Sequence, residues 1–261
     1  STHCISSAAS DVYKRQLRAR DMVRTMPKYA SKYAKKNRNM RNVGRPTRPR
    51  TSRASGIALS DVDGTIIKGS LVLRHACLLH DSNILDLGDL PDRWRRDQKN
   101  ETLIQALAEA YREAIIGKTE ADIMADKYVK FIASNPANFY TTLYRLRLMR
   151  SRGTRVVLVS GSPSFLVDKL GAHFGFDTAA TRYLTDSRGR FTGEYRGMFT
   201  SESKRAYLKG LHLERYPSVV AFGDTRSDVP LLECANWRIL VDPNADTHAA
   251  VSHMVNEIVH D

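Results

Sequence analysis

Two aspartates one residue apart, Asp61 and Asp63, stand in the run Asp-Val-Asp-Gly-Thr at 61–65. Farther along come Ser160-Gly161-Ser162, then Lys204, then Gly223-Asp224 with Asp228 four residues on. Hydrolysis of a phosphate monoester needs this kind of set. The substrate is close to a dianion, so positive charge must be in place before a carboxylate can approach phosphorus. A hard cation held by carboxylates, with Lys204, can supply that charge. One aspartate can then attack phosphorus to give an aspartyl-phosphate. A second acid can protonate the leaving oxygen and later activate water. Two aspartates separated by one residue at a strand end can divide these tasks, because their side chains diverge. The Ser160 hydroxyl can bond a phosphoryl oxygen, and backbone N–H groups at the start of the next helix can add to it.

Each cluster alone has a purely structural reading. Asp and Gly favour turns. Ser160-Gly161-Ser162 reads as a helix cap, and Asp224 with Asp228 as caps for the helix containing Pro230. A single helix lysine is usually solvated. It is their order along the chain, each after a buried strand, that favours a common site.

The elements that must position them are legible as short apolar runs. Ile57-Ala-Leu-Ser, Val156-Val-Leu-Val, Val219-Val-Ala-Phe and Arg238–Val241 read as buried strands alternating with helices. The expected fold is therefore α/β, a Rossmann-like, mostly parallel sheet covered on both faces. Ligands of such sheets bind beyond the carboxyl ends of the strands, where the four clusters fall. Ser162-Pro163 reads as the cap and first turn of a helix. Tyr183–Leu184 and Arg190–Tyr195 around Gly189 read as a hairpin, and Ser201–Leu211 as a helix.

Residues 70–150 lack strand signals and read as a helical cap inserted between the first two strands. Leu103, Leu107, Ala110, Tyr111 and Ala114 follow helical spacing, Thr119 with Asp122 marks a helix start, and Phe139–Met149 is amphipathic. Gly69 and Gly153 flank this insert as candidate hinges of a lid. Trp94, among Arg93, Arg95 and Arg96, offers either an anion-binding cluster or one face of a lid helix.

The four motifs together resemble the haloacid dehalogenase superfamily over about residues 56–247. The helical insert and the segment Gly189–Glu194 are most similar to its phosphoserine-phosphatase-like branch. The resemblance implies Asp61 as nucleophile, Asp63 as general acid and base, and Ser160, Gly161 and Lys204 as phosphate ligands. It also implies a magnesium site at Asp224 and Asp228, completed by Asp61 and the Asp63 carbonyl. Phosphoserine phosphatases carry an acid soon after the first motif, whereas here Lys68 follows and no acid comes before Asp81. Lys68 suits a second anionic group on the substrate better than an ammonium.

The formal charge of +13 has a local origin. Residues 1–55 hold 15 Lys and Arg against two acids, leaving 26 bases and 26 acids in the rest. The core is formally neutral, and the first 55 residues read as a disordered basic arm. Its opening, Ser6–Arg15, resembles a translated cloning adapter, so about the first 16 residues stay outside the biological reading. The three cysteines show no metal or redox spacing, and no run approaches the roughly 18 apolar residues of a membrane helix. The expected setting is cytoplasmic, and the expected ligand a small phosphorylated metabolite with Mg2+. Transfer of the phosphoryl group to an acceptor alcohol would use the same intermediate. The arm itself suits nonspecific contact with acidic partners.

Overall fold

A computed structural model describes residues 55–197 and 200–260. The basic arm, apart from Ser55, lies outside the described residues. Among the described residues, seven strands form one sheet: β1 (Ile57–Ser60), β2 (Arg155–Pro163), β3 (Asp177–Thr185), β4 (Phe191–Arg196), β5 (Val219–Gly223), β6 (Trp237–Val241) and β7 (Glu257–Val259). Their order is β4-β3-β2-β1-β5-β6-β7, parallel throughout except for the β3–β4 hairpin. The central strands are unbroken apolar runs because both their faces are covered. Ala58, Val156, Leu158 and Phe222 face one apolar cluster, while Ile57, Leu59, Val157 and Ala221 face another.

Helices α1 (Leu71–Asp81), α2 (Leu90–Arg96), α3 (Glu101–Ala114) and α4 (Ala125–Ser134) follow β1. Ser70 and Asn100 cap α1 and α3 by accepting from the amides of Leu73 and Leu103. Thr119 and Asp122 do bond reciprocally, but the turn they close precedes α4, which begins after Met124 in a left-handed conformation. Trp94 is buried in the cap, and Arg95 is paired with Asp81 and Asp92. Trp94 thus belongs to the cap interior, while Arg93 and Arg96 on the same helix are exposed. The cap buries His75, bonded at Nε2 to the Ile123 carbonyl (2.8 Å) and at Nδ1 to the Tyr111 hydroxyl (2.9 Å). Only a donor can face a carbonyl, so Nε2 carries the hydrogen and Nδ1 accepts from Tyr111. Burial pulls His75 down to about 4.

The chain leaves and re-enters the cap side by side. The Lys68 amide donates to Asn138 O and the Tyr140 amide to Ile66 O, each at 2.9 Å. Arg74 ties both connections, donating to Lys68 O and Asn138 Oδ1. Helix α5 (Thr141–Ser151) falls inside the expected insert, yet it contacts β2, and its Arg145 pairs with Glu257 of β7 at 2.6 Å. Within the expected insert, α5 thus packs on the sheet. Gly153, with φ +89°, lies just beyond α5 and bonds Ser55 rather than flanking the cap. From the other side, the turn after α3 reaches β4: the Gly117 amide donates to Phe191 O, and the Phe191 amide to Lys118 O.

The remaining helices are α6 (Ser164–Phe174), α7 (Ser201–Lys209), α8 (Val229–Glu233) and α9 (Ala245–Val251). The expected Ser162 cap is corrected here: β2 runs through Pro163, which takes the cap position of α6, and no side chain caps that helix. No helix among the described residues is long and apolar enough to cross a membrane.

Candidate active site

Register places the acids. Ser60, the last residue of β1, is level with Leu158 of β2 and Phe222 of β5. Asp61 leaves the sheet between them, its amide donating to Phe222 O at 3.1 Å. The chain then knots tightly, with the amides of Ile66 and Ile67 both bonded to Val62 O. Gly64 makes the knot possible. Its φ is +78°, and a Cβ there would stand 2.1 Å from Asp224 Oδ2. Gly223 is just as confined, since its Cβ would lie 2.4 Å from that of Asp228.

The three predicted metal carboxylates converge. One carboxylate oxygen from each of Asp61, Asp224 and Asp228 lies within 4.8 Å of the others. Lys204, only 2% exposed, donates to Asp61 Oδ1 at 2.9 Å and to Asp228 Oδ1 at 2.5 Å. The other Asp228 oxygen accepts from the amides of Asp224 and Thr225 and from the Thr225 hydroxyl. Asp224 accepts from the Thr65 hydroxyl at 2.7 Å. The Asp63 side chain is not in this trio. Its Oδ1 accepts from the Leu71 amide at the start of α1 (2.5 Å), and its Oδ2 from the hydroxyls of Ser162 (2.7 Å) and Ser160 (3.2 Å). Gly161 is exposed between those serines, where β2 shifts register against β3.

Electrostatics set the character of the cleft. Burial pushes the Asp61 carboxyl up to about 8, opposed by Lys204 and assisted by Asp228 and Asp63. Burial likewise raises Asp63, against the pull of its hydroxyl and amide donors, and lifts Asp224 well above the carboxylate range. For Lys204, burial disfavours the charged form, but Asp61 and Asp228 outweigh it and hold the ammonium above the usual lysine range. Three clustered carboxylates thus face one ammonium. That shortfall of positive charge, in an all-oxygen donor set, fits a hard divalent cation.

Lys68 does not join this group. Its ammonium is exposed, 5.3 Å from the centre of the Tyr140 ring, in a cleft of about 600 Å3 shared with Tyr144 and Arg147 and lined by none of the four acids. Thr65, Thr225 and the Leu71 amide carry contacts the sequence reading did not assign. Thr65 lies within the first motif and Thr225 between Asp224 and Asp228, so a hydroxyl inside a Gly-bearing acidic turn is the signal that was available.

A family model described as haloacid dehalogenase-like hydrolase matches residues 58–233, which include all four motifs. The chain belongs to that family. A histidinol-phosphatase of Neisseria meningitidis serogroup C (strain 8013) is 21% identical over 203 residues, 73% of this chain and 91% of that protein. The fold is similar to the crystal structure of a protein with unknown function from Bordetella pertussis Tohama I, with a TM-score of 0.61, 20% identity, and coverage of 79% of this chain and 99% of that one. It is also similar to a phosphoserine phosphatase in apo form, with a TM-score of 0.55, 15% identity, and coverage of 78% and 93%.

Proposed function

We propose that this protein is a Mg2+-dependent phosphatase that hydrolyses a small phosphorylated metabolite through an aspartyl-phosphate on Asp61. The observation that carries this reading is the convergence of Asp61, Asp224 and Asp228, with the Lys204 ammonium between Asp61 and Asp228. Membership of the hydrolase family and the phosphatase among its relatives agree with it.

Asp61, Asp224, Asp228 and the Asp63 carbonyl would hold the magnesium ion, which when bound supplies positive charge against the phosphoryl oxygens and keeps Asp61 ionised. Lys204 and Ser160 bind phosphoryl oxygens, with the exposed Gly161 beside them. Asp61 attacks phosphorus; its new O–P bond forms as the ester P–O bond breaks. The bonding pair leaves with the ester oxygen, which takes a proton from Asp63. Water then attacks the phosphoryl-Asp61, its proton passing to the now anionic Asp63, and phosphate departs. Lys68 faces a separate cleft, so no step is assigned to it.

The test is release of inorganic phosphate by the full chain across about a hundred phosphorylated metabolites, with Mg2+ and after metal removal verified by elemental analysis. The expected result is turnover of at least one ester that vanishes without metal and returns with Mg2+. Full activity in the metal-free protein would sink the metal assignment, and no release from any ester would sink the phosphatase reading.

A further inference from the structure

Ser162 stands where a helix cap is expected and does not cap. It is 4% exposed, and its hydroxyl makes the shorter of the two serine bonds to Asp63, 2.7 Å against 3.2 Å from Ser160. Burying a hydroxyl without a partner is unfavourable, so this placement needs Asp63 as much as Asp63 needs it.

The two serines cannot be equivalent. A serine hydroxyl has one hydrogen to donate. If Ser160 turns its hydrogen to a phosphoryl oxygen, as the proposed mechanism requires, it stops donating to Asp63. Ser160 Oγ already accepts from the Ser162 amide at 3.0 Å, which fixes its oxygen and leaves that hydrogen to choose. Ser162 is then the one side-chain donor from β2 that stays on Asp63 while phosphate is bound.

The other Asp63 oxygen is held from the cap by the Leu71 amide, and Leu71 O in turn accepts from the buried Tyr128 hydroxyl of α4 at 2.8 Å. Asp63 is therefore gripped at one oxygen by the cap and at the other by the sheet. Removing the sheet-side grip leaves a carboxyl free to follow the cap rather than the leaving group.

We infer that Ser162 is a positioning residue, holding the Asp63 carboxyl against the sheet so that its proton reaches the departing oxygen. The inference rests on the phosphatase reading above and adds a residue to it. With the proton on its other oxygen, Asp63 accepts from the Ser162 hydroxyl at Oδ2 both as the acid and as the carboxylate, so the contact survives both halves of the reaction.

The test is a series of esters with leaving groups of increasing need for a proton: 4-nitrophenyl, phenyl and benzyl phosphate, assayed with Mg2+. Ser162→Ala should lower kcat/KM for benzyl phosphate about 10- to 100-fold, a part of the usual general-acid contribution, and should cost far less with 4-nitrophenyl phosphate. Ser162→Cys, close in size but weak as a donor, should fall between, and it supplies the graded readout if the alanine variant does not fold. In an Asp63→Asn background, adding Ser162→Ala should cost nothing more on benzyl phosphate, because the group it positions is gone. Equal losses across the three esters, or full additivity with Asp63→Asn, would overturn the role of Ser162 and leave the phosphatase reading standing. Hydrolysis of none of them by the unaltered chain would count against that reading instead.

Discussion

The strand ends and the cap interior both bury polar side chains, and they settle the cost in opposite ways. In the cap, His75 is neutral, its two nitrogens matched by one carbonyl and one hydroxyl, with the Tyr128 ring stacked 4.5 Å away. Nothing further is needed, and the cluster serves packing. At the strand ends, three carboxylates gather around a single ammonium, and burial raises two of them, Asp61 and Asp224, far above their ordinary range. Buried charge left short of its counter-charge is unfavourable. A cluster that closes on itself marks architecture, and one left with a deficit marks a place where a ligand completes the balance.

That contrast can be broken by substitution. The largest effect belongs to Asp61→Asn, which should cost turnover about 10⁵-fold or more while leaving the circular dichroism of the fold intact. Near-native activity in that variant would remove Asp61 as nucleophile. Asp63→Asn should slow hydrolysis by about 10²–10⁴-fold, most for poor leaving groups; an effect independent of leaving group would deny it the role of acid.

The cap should respond to acid. His75 holds its proton only below about 4, against an ordinary value of 6.5. The unfolded chain therefore takes up a proton that the folded cap refuses across that window. The associated stability is complete above pH 6.5 and is lost as pH falls toward 4, about 3 kcal/mol in total. Urea unfolding of the protein and of His75→Asn should diverge in their pH dependence between these limits, and parallel profiles would contradict the assignment. The smallest effect is Gly64→Ala. A Cβ would collide with Asp224, so the Mg2+ concentration for half-maximal activity should rise about tenfold or more. An unchanged requirement would mean that Asp224 contributes little to metal binding.

Much of this was legible because buried parallel strands are continuous apolar runs and the acids directly follow them. Other features were hidden for definable reasons. The first half of β3, Asp177-Thr-Ala-Ala, pairs with β2 but is only half covered, so it lacks an apolar signature. The three residues of β7 are too few to show a period. Helix α5 has one apolar side whether it packs on the cap or on the sheet, and its contacts with β2 and its Arg145–Glu257 pair, far apart in sequence, decide. Ser162 before a proline looks like a cap locally, while its partner lies 99 residues upstream. Lys68 follows the first motif closely, but its side chain points into the Tyr140 cleft, a direction no spacing rule supplies.

The two backbone bonds between the turn after α3 and Phe191 have a consequence beyond geometry. β4 is the outermost strand on its side of the sheet, and an outermost strand offers unpaired amides and carbonyls to any passing chain. The Gly117–Lys118 turn occupies two of those groups at Phe191. A shortened chain without residues 70–134 would therefore lose more than a cover for the acids. It would bare a stretch of edge on which another molecule could add a strand, and its failing would show first as self-association in solution rather than as a loss of secondary structure.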